Sequence, residues 1–221
     1  RLGVLAGSAL GGGTVINSMV CLRPPMSVRT EWADLGLDGL DTAEFDEHLD
    51  RVWTRLGVNT TATVPNRNSQ LMMAGLEATG HQHELIPRNA KLTDDNTLCG
   101  YCNSGCQQGM KVSTTKSYLE DAAEHGAQFV VGAVCDRVLV EDGRAVGVQG
   151  SVSVDGRSVP MTVRAPAVVV ACGGVESPAL LLRSGIGGPA VGQHLRVHPA
   201  WIVSGEYAEP VDAWNGQIQS I

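Results

Sequence analysis

Two Asp-Gly pairs, Asp142-Gly143 and Asp155-Gly156, constrain the fold of this chain more than any other feature. The first lies between Arg137–Glu141 and Ala145–Gln149, the second between Ser151–Val154 and Val159–Val163. An Asp-Gly loop supplies the positive φ angles of a tight hairpin turn, so this spacing predicts a three-stranded antiparallel meander. Ala167-Val168-Val169-Val170-Ala171-Cys172 follows as a continuous apolar run, the pattern of a strand buried on both faces. Gly173-Gly174 turn it, Ser177 stands at an N-cap position, and Pro178 at the first helical position of a helix that Leu180-Leu181-Leu182 carry to Gly185. A strand, a glycine turn and a helix start meet phosphates or polar cofactor edges, and the same order is ordinary α/β packing.

Helices precede the meander. Phe45, Leu49, Val52, Trp53 and Leu56 fall at helical spacing, Asp41 with Glu44 has the form of a capping box, and Gly57 ends the run. A second helix is expected over Ser69–Thr79, closed by Gly80, with Met72, Met73 and Leu76 as core. A third runs from Thr115 to His125 and stops at Gly126, and Gln128-Phe129-Val130-Val131 reads as a short buried strand. Between Pro24-Pro25 and the first of these helices the chain reads as a polar connection through Trp32.

Leu10-Gly11-Gly12-Gly13-Thr14-Val15-Ile16-Asn17 is the stretch that points to a ligand. Three consecutive glycines strip side chains from a short run of backbone, so another molecule can approach its amides. Thr14 adds a hydroxyl and Asn17 an amide, a layout suited to a pyrophosphate and a polar ring edge. A flexible glycine turn is the plain alternative.

Composition excludes several classes. A net charge of −7 argues against a nucleic-acid partner, and no apolar run reaches the roughly 18 residues of a membrane span. The hydrophobic fraction of 43% and charged fraction of 18% are those of a folded soluble domain. Six cysteines are spread along the chain without the density of a disulfide scaffold, which favours a reducing, cytoplasmic setting. The first residue is Arg1, so the sequence reads as an internal piece of a longer protein. Three of the cysteines, Cys99, Cys102 and Cys106, form a C-x-x-C-x-x-x-C run with loop glycines, a spacing at which thiolates converge on a metal or an iron–sulfur cluster. A packed thiol loop or a reversible disulfide is the other reading of that run.

The glycine run, the meander and Gly173-Gly174-Val175-Glu176-Ser177-Pro178-Ala179-Leu180-Leu181-Leu182-Arg183-Ser184-Gly185-Ile186-Gly187 occur in that order. Taken together they resemble the glucose–methanol–choline (GMC) oxidoreductase family of FAD-dependent alcohol oxidases and dehydrogenases, whose second signature the last stretch matches. Gly174 departs from it, proline, serine, threonine or alanine being usual there. Val191–Pro199 also resembles the segment that follows in the family. The resemblance implies an α/β fold, an incomplete FAD-binding Rossmann-like (GMC-type) domain with the meander and the start of a substrate-binding domain. Residues 1–30 would be an FAD-binding segment and 31–125 a helical and cysteine-rich loop insertion. Residues 126–195 would carry the meander, buried strand and helix of the FAD-binding domain, and 196–221 would open the substrate-binding domain.

By the same resemblance Gly11, Gly12, Gly13 and Thr14 lie along the FAD pyrophosphate and flavin, and Asn17, Ser18, Met19 and Val20 pass the isoalloxazine ring. Cys135 stands where a backbone contact to the adenine is expected, and Ala171, Cys172 and Gly173 match the strand end beside the cofactor. Ile16 occupies the position of the histidine that attaches FAD covalently in some members, so non-covalent FAD is expected. The family's dinucleotide fingerprint and catalytic histidine match nothing between Arg1 and Ile221, so no catalytic residue is named; His194 and His198 read as loop residues. Cys99-Gly100-Tyr101-Cys102 with Arg88-Asn89-Ala90-Lys91 is similar to the long-chain-alcohol branch. The expected reaction is hydride transfer from a small-molecule alcohol to flavin N5, with oxygen, a quinone or a protein as electron acceptor. An electron-transfer or metal module on the three cysteines is the alternative, and a non-catalytic dinucleotide-binding remnant a third.

Overall fold

A computed structural model describes residues 6–91, 99–198 and 202–221. The chain divides into two units, Arg1–Ala127 with Glu206–Ile221, and Gln128–Gly205.

The first unit is helical. After a four-residue helix α1 (Gly13–Ile16), helix α2 (Met26–Asp34) leaves Pro25. This helix replaces the polar connection expected there, and its anchor is a charge. Arg29 is buried, donates from Nε to Leu40 O (2.5 Å), from Nη1 to Asp46 Oδ1 (2.7 Å) and from Nη2 to Thr42 O (3.2 Å), and lies over the Phe45 ring. A helix fixed by one arginine shows no apolar stripe, so periodicity misses it.

Helix α3 (Ala43–Arg55) is capped by Thr42, whose Oγ1 accepts from Phe45 N–H, rather than by Asp41. Gly57 N–H donates to Thr54 O and Val58 N–H to Trp53 O, a Schellman end. Thr42→Ala should lower stability by about 1 kcal/mol, while Asp41→Ala should leave it unchanged; thermal unfolding of the two variants checks the assignment. Helix α4 (Arg67–Ala78) starts from Asn66, whose Oδ1 accepts from Ser69 N–H while Nδ2 donates to Ala213 O and Asn215 O. Met72 on this helix is exposed, not core, whereas Met73 and Leu76 are half-buried. The third expected helix is split into a 3-10 turn (Thr114–Lys116) and α5 (Tyr118–Glu124), and Gly126 ends it as expected. Arg55 donates from Nε and Nη2 to both oxygens of Asp121, joining α3 to α5.

The interior of this unit is small and polar. Met19, Ala62, Ala90, Cys102 and Met110 form the apolar cluster, with Cys106 packed against it. Arg88, Lys111, Asn89, Ser117 and Gln217 are buried around it. The Gln217 amide accepts from Val64 N–H (2.9 Å) and donates to Ala62 O (2.7 Å), which docks the chain's last residues onto the loop before α4.

The second unit is the meander: β1 (Ala133–Glu141), β2 (Arg144–Val154) and β3 (Arg157–Arg164), antiparallel in that order. Asp142 (φ 49°), Gly143 (φ 74°), Asp155 (φ 50°) and Gly156 (φ 75°) have the positive φ pairs that the two turns require. Helix α6 (Gly173–Arg183) packs on β1, with Leu180 and Val138 buried. Ser184 Oγ accepts from Val138 N–H (2.9 Å) and donates to Leu180 O (2.7 Å), tying the helix end to the strand.

Three expectations change here. Helix α6 begins at Gly173, so Pro178 lies inside it and Cys172 is at the N-cap; Ser177 Oγ instead accepts from Cys172 N–H (2.9 Å). Residue 174 is a glycine, whose carbonyl is the one that Pro178's ring crowds and whose N–H bond the ring cannot make. Gln128–Val131 and Ala167–Cys172 are not strands: Phe129, Val130, Val131 and Val169 are exposed. A strand needs a neighbour to complete its ladder, and among the described residues neither segment has one.

Candidate functional site

In the first unit the glycine run folds into a turn that leads directly into α1. Gly12 N–H donates to Ala9 O, Thr14 N–H to Gly11 O and Val15 N–H to Gly12 O. Gly11 has φ +89° and faces protein: a Cβ there would lie 2.8 Å from Thr115 Cγ2 and 2.9 Å from Val15 Cγ2. A Cβ on Gly12 or Gly13 would meet nothing within 4 Å among the described residues, while Gly7 packs closely on the backbone between them, where a Cβ of its own would lie 2.6 Å from Gly12 O. The turn therefore has a packed side at Gly11 and an open, side-chain-free side at Gly12 and Gly13. The Thr14 hydroxyl belongs to the packed side, donating to Gly11 O (2.6 Å) and accepting from Thr114 N–H (3.2 Å).

Beyond the turn the chain is bent and pinned. Asn17 is exposed, its Oδ1 accepting from Met19 N–H (3.1 Å), and Met19 has φ 64° while fully buried. A bulky residue in the left-handed region is strained, and such strain persists only where surrounding contacts over-determine it. Those contacts are visible. Ser18 Oγ donates to Asn103 Oδ1 (2.8 Å), Asn89 N–H donates to Met19 O (3.2 Å), and Val20 bridges to Arg88.

Two buried cations hold the same backbone. The Lys111 ammonium donates to Val15 O (2.7 Å), Asn17 O (2.7 Å) and Cys102 O (2.8 Å), which uses all three of its protons. The Arg88 guanidinium donates from Nη1 to Ser18 O (2.5 Å) and from Nη2 to Ile218 O and Gln219 O; its Nε is buried without a partner. Burial pushes both cations below their usual proton affinity, offset in each case first by the nearby Cys102 thiol. Neither role was visible in the sequence, where Arg88 and Lys111 stand in motif stretches without any sign of burial.

The cysteine loop serves this backbone, its Cys102 carbonyl accepting from Lys111 and its Asn103 amide from Ser18. Among the described residues no group of three or more His, Cys, Asp or Glu side chains is placed to hold an ion. Cys102, in a 3-10 turn (Cys102–Ser104), points into the apolar cluster, and burial pushes its thiol up, toward the protonated form that does not ligate. Cys106 packs against the cluster, and Cys99 is half-buried. The metal or iron–sulfur expectation for Cys99, Cys102 and Cys106 thus finds no support among the described residues.

Of the remaining expected contacts, Cys135, Ala171, Cys172 and Gly173 lie in the second unit. Cys135 is half-buried in β1, where the register slips before Arg137, and burial raises its thiol, with Cys172 close enough to raise it further. The structure thus brings the start of β1 to the start of α6. Ala171, Cys172 and Gly173 are exposed at that helix start.

Comparison with known proteins covers nearly the whole chain. The family model described as GMC oxidoreductase matches residues 1–200. A GMC-type oxidoreductase of Mycobacterium tuberculosis (strain ATCC 25618 / H37Rv), itself uncharacterized, is 37% identical over 220 residues, 97% of this chain and 34% of that protein. The long-chain-alcohol oxidase FAO4B of Arabidopsis thaliana is 31% identical over 226 residues, 97% of this chain and 30% of that protein. An oxygen-dependent choline dehydrogenase of Pseudomonas syringae pv. tomato is 28% identical over 243 residues, 94% of this chain and 41% of that protein. The chain spans about a third of the length of the first two relatives. With a family match over residues 1–200, this chain belongs to the GMC oxidoreductase family.

Proposed function

We propose that this chain forms part of the FAD-binding region of an oxidoreductase acting on the CH–OH group of alcohols, and that it holds FAD non-covalently. The observation that carries the reading is the open side of the glycine turn. The Cβ positions of Gly12 and Gly13 border free space among the described residues, while Gly11 is packed on Thr115 and Val15. A nucleotide approaching that side meets main chain alone, the condition for close contact with a pyrophosphate. Family membership and long-chain-alcohol oxidases among the relatives support the same reading.

FAD, when bound, supplies the acceptor for a hydride leaving the alcohol carbon. The residues of this chain bind and orient. Gly12 and Gly13 admit the cofactor, Asn17 presents an exposed amide at the bend, and Lys111 and Arg88 keep the Val15–Met19 backbone from relaxing. Ile16 offers no atom for a covalent flavin bond. No proton-transfer role falls to a residue described here.

The test is spectroscopic. Holoprotein should show flavin absorbance, release all of its flavin to the supernatant on acid precipitation, and bleach anaerobically with a long-chain primary alcohol but not with choline. Protein that comes off the column colourless and takes up no FAD in titration overturns the reading, and flavin retained in the acid pellet overturns the non-covalent part.

A further inference from the structure

We propose that Lys111 is an electrostatic positioning residue for the bound flavin: its buried ammonium gathers the Val15, Asn17 and Cys102 carbonyls behind the cofactor-facing backbone and raises the cofactor's midpoint potential. This rests on the FAD reading above. Its basis is a charge that the fold leaves uncompensated. Lys111 is 3% exposed, and its three protons go to three neutral carbonyls. No carboxylate faces it among the described residues; the charged or titratable groups near it are the Cys102 and Cys106 thiols. Burying an unpaired ammonium is costly, and a hydrophobic residue would fill the space more cheaply. A fold that keeps such a cation a few residues' breadth from its open glycine turn retains a positive field at that place.

The direction of the effect follows from charge. Reduction adds electrons to the cofactor, so a fixed positive charge stabilises the reduced form, and in a low-dielectric interior the interaction is only weakly screened. Arg88, also buried and hydrogen-bonded only to carbonyls, adds to the field but is tied to residues 218–219 as well as to Ser18. Among the described residues the hydrogen bonds of the Lys111 ammonium go to the Val15 and Asn17 carbonyls and to the cysteine loop. The loop then has a defined part: Cys102 offers its carbonyl as the third leg of the ammonium, and Asn103 accepts from Ser18.

Lys111→Gln largely separates hydrogen bonding from charge, because its amide keeps two N–H donors for the three carbonyls and loses the cation. Lys111→Met loses both. In FAD-loaded protein the midpoint potential, read by dye equilibration, should fall in Lys111→Gln by at least the equivalent of a tenfold change in the oxidised-to-reduced ratio. For a two-electron couple that is about 30 mV. FAD affinity in the same variant should stay within threefold of wild type. Lys111→Met should show the same fall in potential together with at least tenfold weaker FAD binding. An unchanged potential in Lys111→Gln overturns the proposal even if Lys111→Met fails to fold. Wild-type protein that binds no FAD overturns the underlying reading instead, so the two failures are distinguishable.

Discussion

Arg88→Met should destabilise the first unit by about 3–5 kcal/mol. The side chain is fully buried and its guanidinium donates to the Ser18, Ile218 and Gln219 carbonyls. Methionine fills much of the volume and satisfies none of these acceptors. A carbonyl left buried without a donor costs about 1–3 kcal/mol, and less where water reaches it, as at the exposed Gln219. The loss is partly offset because a buried cation with an unsatisfied Nε no longer has to be desolvated. Arg88→Lys should not rescue it, since a single ammonium cannot reach carbonyls that the planar fork spans from Ser18 to Gln219. The physical consequence is local as well as global. Without Arg88, the side-chain link from the Ser18 carbonyl beside the strained bend at Met19 (φ 64°) to the Ile218 and Gln219 carbonyls is lost. Urea unfolding followed by tryptophan fluorescence measures the first effect, and amide exchange at Ser18–Cys21 the second. Wild-type values in both would show that the bend is held by its apolar neighbours alone.

How much of this was legible in the sequence depends on how local each determinant is. Asp142-Gly143 and Asp155-Gly156 carry their turn geometry in two residues, so the meander and its order were readable. The Schellman ends at Gly57, Gly80 and Gly126 are equally local, and all three helix stops stand where glycine marks them. Helix starts were less secure. Thr42 and Asp41 are both competent caps, and only the backbone decides that Thr42 meets Phe45 N–H. Helix α2 was hidden because its anchor is a charged residue, Arg29, in a stretch read as a polar connection. Val169 and Val130 show the opposite failure: apolar runs have strand composition, but a strand is a property of two segments, and composition names only one. The glycine turn was readable as a candidate ligand contact, yet its two-sidedness was not, because Gly11 and Gly12 are identical letters with different surroundings. Burial of Lys111 and Arg88 was beyond reach for the same reason.

Gly13→Val should leave the fold intact and weaken FAD binding at least about 100-fold, roughly 2.7 kcal/mol. Gly13 is the first residue of α1 and lacks the left-handed φ of Gly11 and Gly12, so an L side chain fits its backbone. Its Cβ would meet no atom of the described residues within 4 Å, and valine is no worse than glycine in a helix. Stability should therefore stay within about 0.5 kcal/mol of wild type, the usual range for a substitution that touches nothing. What the isopropyl group does occupy is the open side of the turn, where the backbone is otherwise bare. A ligand that needs main-chain approach there is displaced outward by the thickness of a side chain and loses its short contacts. Gly11→Ala is the control with the opposite signature. Its Cβ would press on Thr115 Cγ2 and Val15 Cγ2 at a φ of +89°, so unfolding should come at lower temperature, with flavin lost as a consequence. Measuring melting temperature and FAD dissociation constant on both proteins separates a filled cradle from a broken turn. Gly13→Val protein that binds FAD as tightly as wild type would show that the cofactor does not use the open face of this turn.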